Sequence, residues 1–152
     1  MKNLILLLAL AGFLSSATGQ SATKKTQPSK APKYSVSWGG FAGGKIDNEQ
    51  FKKLVDSPLV VKDEKGYKYT ITRFRINYSF LSTYKDSESQ MVQSIQDLRV
   101  FDFYDTPTLT EVWRASIRDN AKKGDSILIN NIIVKLKNGT KTIAPDFKAN
   151  LE

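Results

Sequence analysis

A mainly antiparallel β-sandwich with two short helices is the fold class this sequence predicts, and three observations predict it. Segments of alternating polar and apolar residues recur from residue 34 onward. Turn signals separate them, among them Asn138-Gly139 and several glycine or proline clusters. Only two stretches, opening near Asp47 and Thr108, carry helical spacing. A length of 152 residues suits one domain with a core of its own.

Composition narrows the chemistry before any motif is read. The chain has no cysteine and no histidine, so it lacks a thiol nucleophile, a disulfide, a thiolate metal site and the commonest general base. Catalysis would rest on carboxylates, lysine, tyrosine or serine. No cofactor and no metal site is expected. The formal charge is +8, yet five of the basic residues (Lys2, Lys24, Lys25, Lys30 and Lys33) precede Tyr34, leaving 18 Lys and Arg against 15 Asp and Glu beyond it. A body so nearly neutral argues against nucleic acid as partner, because binders of that class concentrate positive charge on one face of the fold.

Residues 1–19 read as a secretory signal peptide. Lys2 supplies the positive start, Leu4 to Leu14 the apolar run, and Ala17-Thr18-Gly19 the small residues of a cleavage site before Gln20. The apolar run is about half of the roughly 20 residues that span a bilayer, so a transmembrane anchor is not expected. Residues 20–33 are polar, carry Pro28 and Pro32, and hold lysine but no acidic residue, the composition of a disordered basic tether. The expectation is a periplasmic or secreted protein whose folded domain covers 34–152.

Tyr34 to Trp38 alternates as a short strand, and then comes Gly39-Gly40-Phe41-Ala42-Gly43-Gly44-Lys45-Ile46, with four of the nine glycines. Two glycine pairs imply a sharp turn through positive φ. Gly39, Gly44 and Lys45 also match the phosphate-cradling pattern G-x-x-x-x-G-K, but Ile46 stands where a magnesium-binding Ser or Thr is required. The turn reading is therefore preferred. Asp47 and Gln50 fit a helix start, and Phe51, Leu54 and Val55 share one face before Pro58.

Leu59-Val60-Val61 reads as a strand and 62–66 as a charged turn. In residues 67–81, Tyr69 and Ile71 share one phase, while Phe74, Ile76, Tyr78 and Phe80 share the opposite one. Such a slip predicts a β-bulge near Thr72-Arg73, with Arg75 and Asn77 outward. Residues 82–90 read as a polar loop, and 98–104 as a strand with Leu98, Val100 and Phe103 inward. Asp97, Asp102 and Asp105 lack the close spacing and glycine of a calcium loop. A second helix is predicted with Thr108 as cap and Glu111 closing a capping box, or with Thr110 as cap, its apolar stripe being Val112, Trp113 and Ile117. Strands then follow at 126–129, 132–137, 140–144 and 147–151, with a two-residue turn at Asn138-Gly139.

The segments Gly-Gly-Phe-Ala-Gly-Gly-Lys-Ile, Tyr69 to Ile76, Gly124 to Ile132, Asn138-Gly139 and Phe147, with the helix through Phe51, resemble the C-terminal periplasmic domain of the gliding-motility protein GldM, part of the type IX secretion machinery. The likeness covers roughly 35–151 in separated blocks. It implies an immunoglobulin-like β-sandwich that binds envelope proteins, secretion-machinery components among them, and catalyses nothing. The chain departs from that family in its leader, in its tether, and in a longer segment between Thr83 and Asp97.

The expected function is a non-catalytic protein-interaction module. Its candidate binding residues are Trp38, Phe41 and Lys45 at the glycine turn and Arg73 and Arg75 on the long strand, since aromatics and arginine are enriched at binding hot spots. A glycan-binding module is the rival, with Trp38 or Trp113 and Tyr84 or Tyr104 as stacking faces. The third reading is a carboxylate hydrolase using a pair drawn from Asp102, Asp105 and Glu111.

Overall fold

The computed structural model describes residues 33–152. The expected signal peptide and, Lys33 apart, the expected tether lie outside the described residues. Among the described residues the elements run β1 (Tyr34–Trp38), β2 (Gly44–Ile46), α1 (Asn48–Leu54), β3 (Leu59–Asp63), β4 (Lys68–Lys85), β5 (Val92–Tyr104), α2 (Glu111–Asn120), β6 (Ser126–Lys135), β7 (Lys141–Ile143) and β8 (Phe147–Leu151). The protein is mainly β with two helices. Its strands join in one curled mixed sheet, ordered β1-β3-β4-β6-β8-β2, with β5 added to β4 and β7 to β6. The pairings are antiparallel except that of β2 with β8, which is parallel. β2 lies inside the glycine stretch, and three residues are too few to carry a readable alternation.

β4 organises the sheet. Over 73–79 it pairs with β5 on one edge and β6 on the other. The expected bulge is present: the β6 register shifts between Ile71 and Arg73 and again between Arg73 and Arg75. β6 answers it at Asn131, whose φ of 50° is a conformation that a short polar side chain tolerates. The extra residue brings Ile132 and Val134 into phase with Ile127 and Ile129, and all four are buried with Ile71, Phe74, Ile76 and Tyr78.

The helices complete this core. Asp47 caps α1 as expected, its carboxylate accepting the Gln50 amide at 3.0 Å, and Phe51, Leu54 and Val55 are buried. Trp38 meets Phe51 and Phe147 edge to face, with centroids 6.3 and 6.0 Å away. α2 follows Thr110, but no side chain caps it, and Glu111 opens the helix instead of closing a box from Thr108. Its stripe is narrower than expected: Ile117 is buried, Trp113 is half-buried against Phe101 and Phe103, and Val112 is 79% exposed.

The polar loop expected over 82–90 is mostly strand. β4 runs on to Lys85 and β5 begins at Val92, leaving a turn in which the Asp86 carboxylate accepts the Ser89 and Glu88 amides at 2.7 and 3.1 Å. This outer half of the hairpin extends past the last β4–β6 pair, Ser79 with Ser126, so water bathes both its faces and polar residues are tolerated on each. The register also corrects the expected facing of β5. Leu98 and Val100 lie opposite Ser79 and Asn77 on the outer face and are exposed, whereas Phe101 and Phe103 lie opposite Ile76 and Phe74 on the inner one. Phe103 is buried as expected and stacks on Phe74 at 4.9 Å.

Two further details pin the sheet. The β6–β7 connection, residues 136–140, is longer than the expected two-residue turn at Asn138-Gly139 and is closed by Leu136 N–H donating to the Thr140 carbonyl at 2.8 Å, with Gly139 at positive φ. At the start of β6, the buried Asp125 carboxylate accepts the Tyr78 hydroxyl at 2.6 Å, the Lys122 amide at 3.0 Å and the Leu81 amide at 3.3 Å. Its backbone carbonyl takes the Leu151 amide at 2.9 Å, so one residue ties together β4, β6 and β8.

Candidate functional site

The glycine turn and the long strand present their candidate residues very differently. Trp38 is 1% exposed and donates its indole N–H to the Ser57 carbonyl at 2.8 Å, so it is a core residue and has no face to offer a ligand. Phe41 is half-buried against Phe147, 6.1 Å between centroids. Lys45 is exposed and ion-paired with Glu152, which holds its ammonium above the usual lysine range. The turn itself is built as expected. Gly39, Gly40, Gly43 and Gly44 all have positive φ, and a Cβ on Gly43 would stand 2.8 Å from the Lys148 carbonyl oxygen. That close approach lets β2 reach β8, so the glycines form the fold.

Arg73 and Arg75 converge on the outer face of β4. Register places Asp102 directly opposite Arg75 and Tyr104 opposite Arg73. Arg75 forks onto both oxygens of Asp102, Nη2 to Oδ2 at 2.8 Å and Nε to Oδ1 at 3.2 Å. Arg73 reaches Oδ1 through Nη2 at 3.2 Å and lies 5.4 Å from the Tyr104 ring centroid. The two guanidinium groups, Arg75 first, hold the Asp102 carboxyl below its usual range, and Asp102 raises Arg75 in turn. Two fixed cations around one anion leave net positive charge on rigid strands. Exposed apolar side chains share this outer face: Leu98, Val100 and Tyr104 on β5, and Ile143 on β7, which pairs with Ile133.

Asp102 and Tyr104, which the sequence assigns only to the rival hydrolase and glycan readings, join the two arginines on this surface. The missing signal was the hairpin register. Once Lys85 is set opposite Val92, counting back along both strands brings Asp102 to Arg75.

The residues of the rival readings are not brought together. Trp38 is buried; Trp113 packs against Phe101 and Phe103 on the inner side of β5, and Tyr104 lies on the outer side. Tyr84 sits near the hairpin tip with its hydroxyl donating to Gln93 at 2.8 Å. Of the carboxylates, Glu111 is held below its usual range by Arg118 and Arg114, as Asp102 is by its arginines. A general acid needs the opposite shift. Asp105 turns the chain after β5 at a φ of 51°. Among the described residues no group of three or more Asp or Glu gathers as a metal site, and no helix is long and apolar enough to cross a membrane. Compared with known proteins, the chain matches no family model, and no curated protein matches it.

Proposed function

We propose that this protein is a non-catalytic, exported interaction module that binds a protein of the cell envelope through the outer face of its sheet. The resemblance to the GldM periplasmic domain supplies the setting, a component of the type IX secretion or gliding machinery. The curled sheet is then a variant of the immunoglobulin-like sandwich, with β4 turning the corner at its bulge, pairing first with β3 and then with β5 and β6. The observation that carries the reading is the Arg73–Asp102–Arg75 cluster, fixed on strands and bordered by the exposed Val100 and Tyr104. Pre-organised arginine beside exposed aromatic and aliphatic surface is the composition of a binding hot spot.

The test is capture from an envelope extract on immobilised protein, comparing the native chain with Val100→Glu and Tyr104→Ala. Both changes lie on exposed side chains, so far-UV circular dichroism should be unchanged while the retained species is lost. Retention by both variants equal to that of the native protein, or no retained protein at all, would refute the proposal.

A further inference from the structure

β5 pairs with β4 along one edge only, and its other edge carries backbone amides and carbonyls with no strand partner among the described residues. It is the longest such edge in the fold, 13 residues, and it exposes Val92, Ile95, Leu98, Val100, Phe101 and Tyr104. Proteins ordinarily protect an edge of this length with proline, lysine or a cover. This one has none of its own: the strand, VQSIQDLRVFDFY, holds a single cation at Arg99 and no proline.

The strand is complementary to itself. We propose that β5 pairs antiparallel with β5 of a second copy about a two-fold axis through Leu98, making one sheet continuous across a symmetric dimer. Leu98 is the middle residue of Val92–Tyr104, so this register uses the full length of both strands. It sets Asp97 opposite Arg99 of the partner subunit, twice by symmetry. Ile95 meets the partner's Phe101, Val92 meets the partner's Tyr104, and the two Leu98 side chains meet each other. Neither Asp97 nor Arg99 has an ion-pair partner among the described residues.

Other registers are penalised. Sliding by two residues in either direction sets Asp97 against the partner's Asp97 or Arg99 against the partner's Arg99, like charges directly opposed. Sliding by one residue joins the inner face of one copy to the outer face of the other. The chosen register also brings Ile95 beside Phe101 of the partner subunit, against which that copy's Trp113 packs. There the monomer leaves an open groove of about 170 Å³ lined by Arg99, Val112, Trp113 and Ser116. In the monomer the Arg99 guanidinium donates to Ser116 Oγ at 2.8 Å and stands 4.8 Å over the Phe80 ring. The dimer does not depend on the outer face binding an envelope protein.

The test is sedimentation equilibrium of the purified protein over a dilution series. The native chain should show a monomer–dimer equilibrium that weakens with salt. Asp97→Arg, whose native carboxylate touches only the Ser82 hydroxyl at 3.5 Å, should raise the dissociation constant at least about tenfold, and Arg99→Asp should do the same. Mixed together, the two variants should form a heterodimer of near-native affinity, because every opposed pair is again Arg with Asp. Circular dichroism checks that each variant is folded; should Arg99→Asp not fold, Asp97→Ser must fall between native and Asp97→Arg. A native chain that stays monomeric throughout, an Asp97→Arg variant that dimerises as tightly as the native one, or folded variants that do not associate on mixing would each overturn the proposal.

Discussion

Replacing Asp125 by alanine should be among the most damaging single changes in this protein, although it removes only a carboxylate. Three donors converge on that group: the Tyr78 hydroxyl at 2.6 Å and the Lys122 amide at 3.0 Å on one oxygen, and the Leu81 amide at 3.3 Å on the other. The Tyr78 hydroxyl is walled in, the residue being 1% exposed, so stranding it costs about 2 kcal/mol; the two amides are part-buried and cost about 1 kcal/mol each. The expected loss is about 3–5 kcal/mol, a large fraction of the stability of a domain this size. Tyr78→Phe removes a bond without stranding a donor and should cost only about 1–2 kcal/mol. In the double variant the stranded hydroxyl is gone, so the two changes should be less than additive by about 1–2 kcal/mol. Urea unfolding followed by tryptophan fluorescence, with slopes compared, measures all four proteins. A loss below about 1 kcal/mol for Asp125→Ala, or strict additivity, would refute the view that one carboxylate latches β4 to the turn that opens β6.

Three further outcomes are expected. Gly43→Ala should cost about 2–3 kcal/mol in the same unfolding assay, because positive φ and contact with the Lys148 carbonyl both oppose it, whereas Gly44→Ala, strained in φ but facing open space, should cost about 1–2 kcal/mol. Phe51→Ala should lose about 3–5 kcal/mol, since the ring is fully buried and packs edge to face on Trp38. Stability should also fall at both ends of the pH scale. Asp102 and Glu111 have folded pKa values below their unfolded ones, so their contribution is present above about pH 4 and lost as pH drops, and Asp102→Asn should flatten that acid limb. Tyr78, buried and bonded to Asp125, is raised, so its contribution holds below about pH 10 and fades above it; Tyr78→Phe should remove that part of the alkaline loss.

Local chemistry was legible at most positions whose role depends on neighbours in sequence, though not in the capping box expected from Thr108 or the two-residue turn expected at Asn138-Gly139. The Asp47 cap, the buried stripe Phe51, Leu54 and Val55, the glycine turn and the phase slip on β4 are all set by offsets of a few residues. The candidate site was legible only in part. Arg73 and Arg75 could be read as outward-facing from their own strand, but Asp102 and Tyr104 join them across the hairpin. Trp38 is a binding candidate by residue type alone, since aromatics are enriched at hot spots, and its packing against Phe51 and Phe147 makes it core.

From the sequence alone came a mainly β chain with two short helices, poor in the side chains of common catalysis, its strands marked by period two and its turns by glycine and asparagine. Tertiary structure decided how those strands close and which way they face: one curled sheet, with Leu98 and Val100 outward and Asp125 at a three-strand junction. The physical reason is range. Helix caps and strand alternation are fixed by steric and hydrogen-bonding rules acting over a few residues. Register and sheet order depend on contacts between residues tens of positions apart, and a strand with both faces in water carries no alternation from which its pairing could be read.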